Sequence, residues 1–150
     1  YEWLCRRLKN AGFSHYEVSN WARRGFECEH NKRYWEQKDY LGLGLGASSI
    51  VDDRIWENGK DFDEYLRDPV KTENVMEIDE ELRRMEYIML SLRTKNGIHL
   101  QKYDRFADTE KLLKNAEQYR KSWDLKKFRG SLRATEKGFL IVDKMTERLI

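Results

Sequence analysis

The stretch Tyr40-Leu41-Gly42-Leu43-Gly44-Leu45-Gly46-Ala47-Ser48-Ser49 restricts the fold more than any other part of the chain. Drawn out as a strand, it puts Leu41, Leu43, Leu45 and Ala47 on one face and Gly42, Gly44, Gly46 and Ser48 on the other. Glycine inside a strand is unfavourable, because it loses more backbone entropy on folding and offers nothing to pack. The alternation therefore predicts an extended segment whose bare face lies flat against a ligand or another backbone. It is neither of the common phosphate loops. The spacing is not G-x-G-x-x-G, the sequence after Gly46 continues as strand, and no Gly-Lys-Ser/Thr follows.

Just upstream stands His30-Asn31-Lys32-Arg33-Tyr34-Trp35, read as part of an irregular segment over residues 21–39. An imidazole can ligate a metal or move a proton near neutral pH. Tyr34 and Trp35 add stacking surface with one polar atom each. A lone histidine beside aromatics suits a planar cofactor such as haem, whose iron accepts an axial imidazole. The same residues would equally serve to hold a loop by hydrogen bonds. Cys28 and His30 are too few for zinc, which needs three or four ligands. His15 and His99 have no partner pattern and read as structural or solvated. Glu17 and Asp39 could do acid–base work, as any carboxylate could, so no catalytic residue is assigned.

Four segments together carry a resemblance. Ser19-Asn20-Trp21-Ala22-Arg23, Gly25-Phe26-Glu27-Cys28, the H-N-x-x-Y-W run and Tyr40–Ala47 stand in the order found in one family. The chain resembles the radical-SAM oxygen-independent coproporphyrinogen III oxidases. The H-N-x-x-Y-W pattern is more similar to the haem-chaperone branch than to the true oxidases. The resemblance implies a C-terminal portion: the end of a partial (β/α) barrel over residues 1–70, a linker at 71–78, and a small C-terminal domain at 79–150. It implies S-adenosylmethionine contacts at Gly44, Gly46, Ala47 and Ser48. It also implies His30 as an axial haem ligand, with Tyr34 and Trp35 flanking the ring. The expected partner is a tetrapyrrole, haem or coproporphyrinogen.

Cysteine usage limits that implication. Cys5 and Cys28 are the only two, whereas the family's [4Fe–4S] cluster sits on a three-cysteine loop and needs several thiolates. The cluster is thus expected in an N-terminal part outside these residues, and the chain alone is expected to be inactive. A start at Tyr1 rather than methionine fits a piece of a longer protein, or a processed one. No secretory signal opens the chain, so two unpaired thiols read as cytoplasmic. No apolar run is long enough for a membrane span.

The rest reads as α/β plus α+β. A helix carrying Trp3, Leu4, Leu8 and Ala11, then a strand near His15–Ser19, make one α/β step. Strands flank an Asp52-Asp53 turn, and Asp61 caps a short helix ended by Pro69. An incomplete barrel would leave strand edges open to self-association. Past residue 79, helices with stripes Leu82/Met85/Met89/Leu92 and Leu112/Leu113/Ala116/Tyr119 precede a hairpin around Arg129-Gly130. A last helix buries Phe139, Val142, Met145 and Leu149. That order is winged-helix-like.

Residues 109–133 hold eight Lys+Arg against three Asp+Glu. An alternative function follows: a winged-helix nucleic-acid-binding module dimerised by the N-terminal segment. The interleaved Glu110, Glu117 and Asp124 favour a covering or interaction face instead.

Overall fold

The computed structural model describes residues 1–150, and nearly all of its apolar core lies in the second half of the chain. Sixteen buried residues form one cluster running from Tyr87 to Leu149. The first half buries only Cys5, Tyr16 and Ala22 among its apolar side chains, and leaves Trp3, Leu41, Leu43, Phe62 and Leu66 exposed. Burial of apolar area is the main driving force for folding, so the second half carries most of the stability.

The elements run in order α1 (Glu2–Asn10), β1 (Ser14–Glu17), β2 (Asn20–Ala22), α2 (Glu29–Trp35), β3 (Ser48–Val51), β4 (Arg54–Asn58), α3 (Phe62–Arg67) and β5 (Thr72–Glu77). Then come α4 (Glu80–Leu92), β6 (Ile98–His99), α5 (Leu100–Tyr103), α6 (Thr109–Lys121), β7 (Leu125–Phe128), β8 (Ser131–Ala134), α7 (Glu136–Phe139) and α8 (Val142–Leu149). The strands form three separate sheets, β1-β2, β3-β4-β5 and β6-β8-β7, and every pairing is antiparallel. The helix–turn–strand step of α1 and β1 is present, but no parallel barrel strands are paired here.

Residues 72–77, expected within a linker, form β5 on the edge of the second sheet, paired with β4 from Arg54↔Glu77 to Asn58↔Thr72. Residues 21–39 are more ordered than expected, holding β2's last residues and α2. The final helix divides at Leu140–Ile141 into α7 and α8. Thr135 Oγ1 caps α7 by accepting from Gly138 N at 3.0 Å. On α4 the buried positions are Tyr87, Ile88, Ser91 and Leu92, a stripe rotated from Leu82/Met85/Met89 towards the β6-β8-β7 sheet.

Several helix starts follow from side-chain caps. Asp61, Asp79 and Asp108 accept the N–H of Glu64, Leu82 and Glu110, each at 2.8 Å. Such caps satisfy helix N–H groups that have no intrahelical partner. The β7–β8 turn has positive φ at both Arg129 (47°) and Gly130 (74°), as a two-residue I′ hairpin requires.

The two halves are stitched by backbone. Val18 N donates to Arg93 O at 2.7 Å and Lys95 N to Tyr16 O at 3.0 Å, so β1 adds alongside the segment that leaves α4. The buried Glu17 side chain anchors the same corner, accepting from Ser19 N at 3.0 Å and from the Asn20 amide. Ion pairs Arg83–Asp53 and Arg93–Asp143 tie α4 to the β3–β4 turn and to α8.

Candidate functional site

The Leu–Gly stretch is not a strand. Residues 41–47 form a loop that becomes β3 only at Ser48. Gly44 and Gly46 have φ of +105° and +66°, in the region that side chains other than glycine's rarely adopt. A Cβ on Gly44 would meet nothing within 4 Å, while one on Gly42 would fall 2.2 Å from the Ser48 carbonyl oxygen. Positive φ explains Gly44 and Gly46, whereas at Gly42 the expected close approach of another backbone is present, made by Ser48. Leu41, Leu43 and Leu45 are exposed rather than buried together.

Two residues that the sequence did not mark hold this loop. Asn58 Nδ2 donates to Gly44 O at 2.8 Å and to Gly42 O at 3.3 Å, while Ser49 Oγ accepts from Gly42 N at 2.9 Å. Both side chains are buried. Asn58 N donates to Ala47 O and Gly46 N to Gly59 O. A buried polar residue leaves no periodic trace. Asn58-Gly59 reads in the sequence only as a turn signal, with nothing to mark the Asn58 side chain as a donor.

The H-N-x-x-Y-W run is the helix α2 rather than a loop. Its one-turn spacing sets His30 edge-on against Tyr34, ring centroids 4.7 Å apart, and Tyr34 against Tyr40 at 4.4 Å. Neighbours four apart share a helix face; Trp35, one residue on, is turned by about 100°. Tyr34 lines a recess with Tyr40, Ile50, Ile55 and Met89. Trp35 instead enters a cavity of about 450 Å³ between α2 and the second half, beside Tyr87, His99 and Lys102. Its indole N–H is buried there without a partner. Thus His30 and Tyr34 are brought together, and Trp35 is not placed with them.

His30 is exposed. The histidine hydrogen bonds of the structure belong to His15 and His99, so both ring nitrogens of His30 are open. Cys5 is buried and Cys28 exposed, both unpaired. No group of three or more His, Cys, Asp or Glu side chains could hold a metal ion. The residues present therefore do not fit an iron–sulfur cluster. They do fit a single axial ligand to a haem iron.

His15 belongs to a second aromatic cluster, stacked on Trp21 at 4.0 Å and edge-on to Phe139 at 4.8 Å. Burial holds its pKa below the ordinary 6.5. Unfolded His15 takes up a proton as pH falls past about 6.5, while the folded ring resists until a lower pH. Stability is therefore expected to decline as pH drops from about 6.5 through the depressed value, then to level. Urea melts between pH 7.5 and 5 check this, and His15→Asn should remove that share of the slope.

No family model matches the chain. It is 32% identical over 106 residues to a heme chaperone HemW of Lactococcus lactis, and 34% identical over 113 residues to a heme chaperone HemW of Synechocystis sp.. Each match takes in 69% of this chain; the chain spans 28% and 27% of the two relatives. A mitochondrial radical S-adenosyl methionine domain-containing protein 1 of Danio rerio is 49% identical over 47 residues, covering 31% of this chain and 11% of that protein. Among solved structures, the radical-SAM coproporphyrinogen III oxidase HemN of Escherichia coli matches with a TM-score of 0.69 at 17% identity. That match covers 99% of this chain and 39% of HemN, and it carries the fold. No helix is long and apolar enough to cross a membrane.

Proposed function

Because this chain belongs to the HemN-like radical-SAM family, as its C-terminal part, we propose that it serves a haem chaperone, presenting the His30–Tyr34 face of α2 to a tetrapyrrole. One observation carries the reading: an exposed imidazole with both nitrogens free, braced edge-on by Tyr34 at 4.7 Å. His30 would supply an axial ligand to haem iron, and Tyr34 and Tyr40 an aromatic wall beside it. Trp35 acts from behind, fixing α2 against the second half. The names of the curated relatives support this reading over a nucleic-acid-binding module. So do the pairs Arg120–Glu117 at 2.9 Å and Lys137–Asp124 at 3.3 Å, which neutralise part of the basic face.

In the intact parent, the [4Fe–4S] cluster would be held by cysteines outside this chain, and S-adenosylmethionine would lie between that part and the glycine loop. Gly44 and Gly46 would border that cofactor on the open side of their loop, with Ala47 and Ser48 beneath. The missing N-terminal barrel half is the fitting cover for Leu41, Leu43 and Leu45. Without it, the free edge of β5 offers a route to self-association. Residues 79–150 read as the winged-helix-like C-terminal domain, and two unpaired thiols suit a reducing, cytoplasm-like compartment.

Haem titration followed in the Soret band tests the reading. The wild type should give a saturable shifted band. His30→Ala should lose the ligated spectrum, and Tyr34→Leu should weaken binding while keeping the ligated form. Identical spectra for wild type and His30→Ala, in this chain and in the full-length parent, would remove His30 from the role.

A further inference from the structure

We propose that the cleft between α1, the β1–β2 hairpin and the β7–β8 hairpin binds a small ligand carrying two or more clustered oxyanions, held by Arg6, Lys9, Lys126 and Arg133. The cleft has a volume of about 890 Å³, the size of ordinary small-molecule sites. None of its lining residues belongs to the His30–Tyr34 face, so the site stands apart from the proposed tetrapyrrole contact.

Charge comes first. Six cations line the cleft against the carboxylates Glu2 and Glu136. Two of the six are engaged elsewhere, Lys95 with Glu27 at 3.8 Å and Lys137 with Asp124 at 3.3 Å. Arg6, Lys9, Lys126 and Arg133 enter no ion pair. They come from α1, β7 and β8, so the fold gathers them from distant parts of the chain. Unpaired cations crowded on one concavity repel one another, and an oxyanion between them relieves that repulsion. Guanidinium forks add two-point recognition of phosphate or carboxylate oxygens.

Unused polar atoms come second. Arg133 Nε is buried and has no hydrogen-bond partner, while its guanidinium carbon lies 4.9 Å from the centroid of the Phe128 ring. His15 Nδ1, in the same lining, is also buried and unpartnered. Its Nε2 stands 3.3 Å from Val18 O. A carbonyl can only accept, so Nε2 carries the proton of the neutral ring, and Nδ1 becomes a donor when the ring is protonated. Buried donors without partners are rare in folded proteins. Arg133 Nε in this basic cavity is such a donor, and an absent anion would satisfy it; His15 Nδ1 would join it only in the protonated ring.

The shared chemistry is clustered oxyanions, which a polyphosphate or a polycarboxylate could supply. Isothermal titration calorimetry of the 150-residue chain with pyrophosphate and, separately, citrate distinguishes the two. At about 0.15 M ionic strength diffuse surface charge is largely screened. One-to-one saturable binding is expected for at least one anion, and the tighter one names the source. Arg133→Gln should weaken it about tenfold. Because Arg133 is half-buried, the double variant Lys9→Gln/Lys126→Gln, at exposed positions, provides a second measure and should weaken binding as much. Lys144→Gln, an exposed change on α8 outside the cleft, should leave it unchanged. The proposal is overturned if neither anion saturates, if Lys144→Gln weakens binding as much as the cleft variants, or if the double variant binds like wild type.

Discussion

Gly97→Ala is expected to destabilise the chain by about 3 kcal/mol, against about 1 kcal/mol for Gly130→Ala. Both glycines have positive φ, +67° and +74°, so each alanine meets the same left-handed strain of roughly 1 kcal/mol. Space separates them. A Cβ on Gly130 would meet nothing within 4 Å, whereas one on Gly97 would sit 2.3 Å from Leu132 O and 2.8 Å from Arg133 Cα. Those atoms belong to β8, whose Leu132 pairs with Ile98 and is fully buried. Relief would move a backbone in the centre of the sheet, and overpacking of that kind adds about 1–3 kcal/mol. Urea denaturation of the two variants side by side gives the difference directly. Equal losses would mean that the β6–β8 approach is looser than described.

The turns that proved legible in sequence are those whose residue types admit few conformations. Arg129-Gly130 turns the β7–β8 hairpin as expected, and Asp61 caps α3 as expected. The core stripes of α6 and α8 were also legible, because Leu112, Ala116, Tyr119, Val142, Met145 and Leu149 are truly buried and burial is what writes a period into a sequence. The same reason explains the failures. Strand β5 has Val75 and Met76 exposed, and backbone pairing to β4 rather than a buried face makes it a strand. Helix α2 buries no residue fully, so it left no helical stripe, and the segment read as irregular although His30 and Tyr34 stand one helical turn apart. The Leu–Gly alternation misled because a period of two arises in a positive-φ loop as readily as in a strand.

What the sequence hid most completely was the buried polar framework, and Asn58 allows that framework to be tested. Asn58→Ala should cost about 2 kcal/mol, since it removes two hydrogen bonds and leaves two half-buried carbonyls to find water. The loss should be concentrated in the glycine loop. Amide exchange at Gly46 and Ala47 is expected to accelerate, while amides in the Tyr87–Leu149 core keep their protection relative to global unfolding. Ser49→Ala gives up only the bond from Gly42 N, so its effect should be smaller. Asn58→Asp is the sharper variant, because a carboxylate keeps the shape but cannot donate to Gly42 O or Gly44 O, and it sets a charge against both. It should therefore destabilise at least as much as alanine at neutral pH. If aspartate were accepted freely there, the side chain would not be the donor that shapes this loop. Gly44 and Gly46 would then owe their positions to the turn alone.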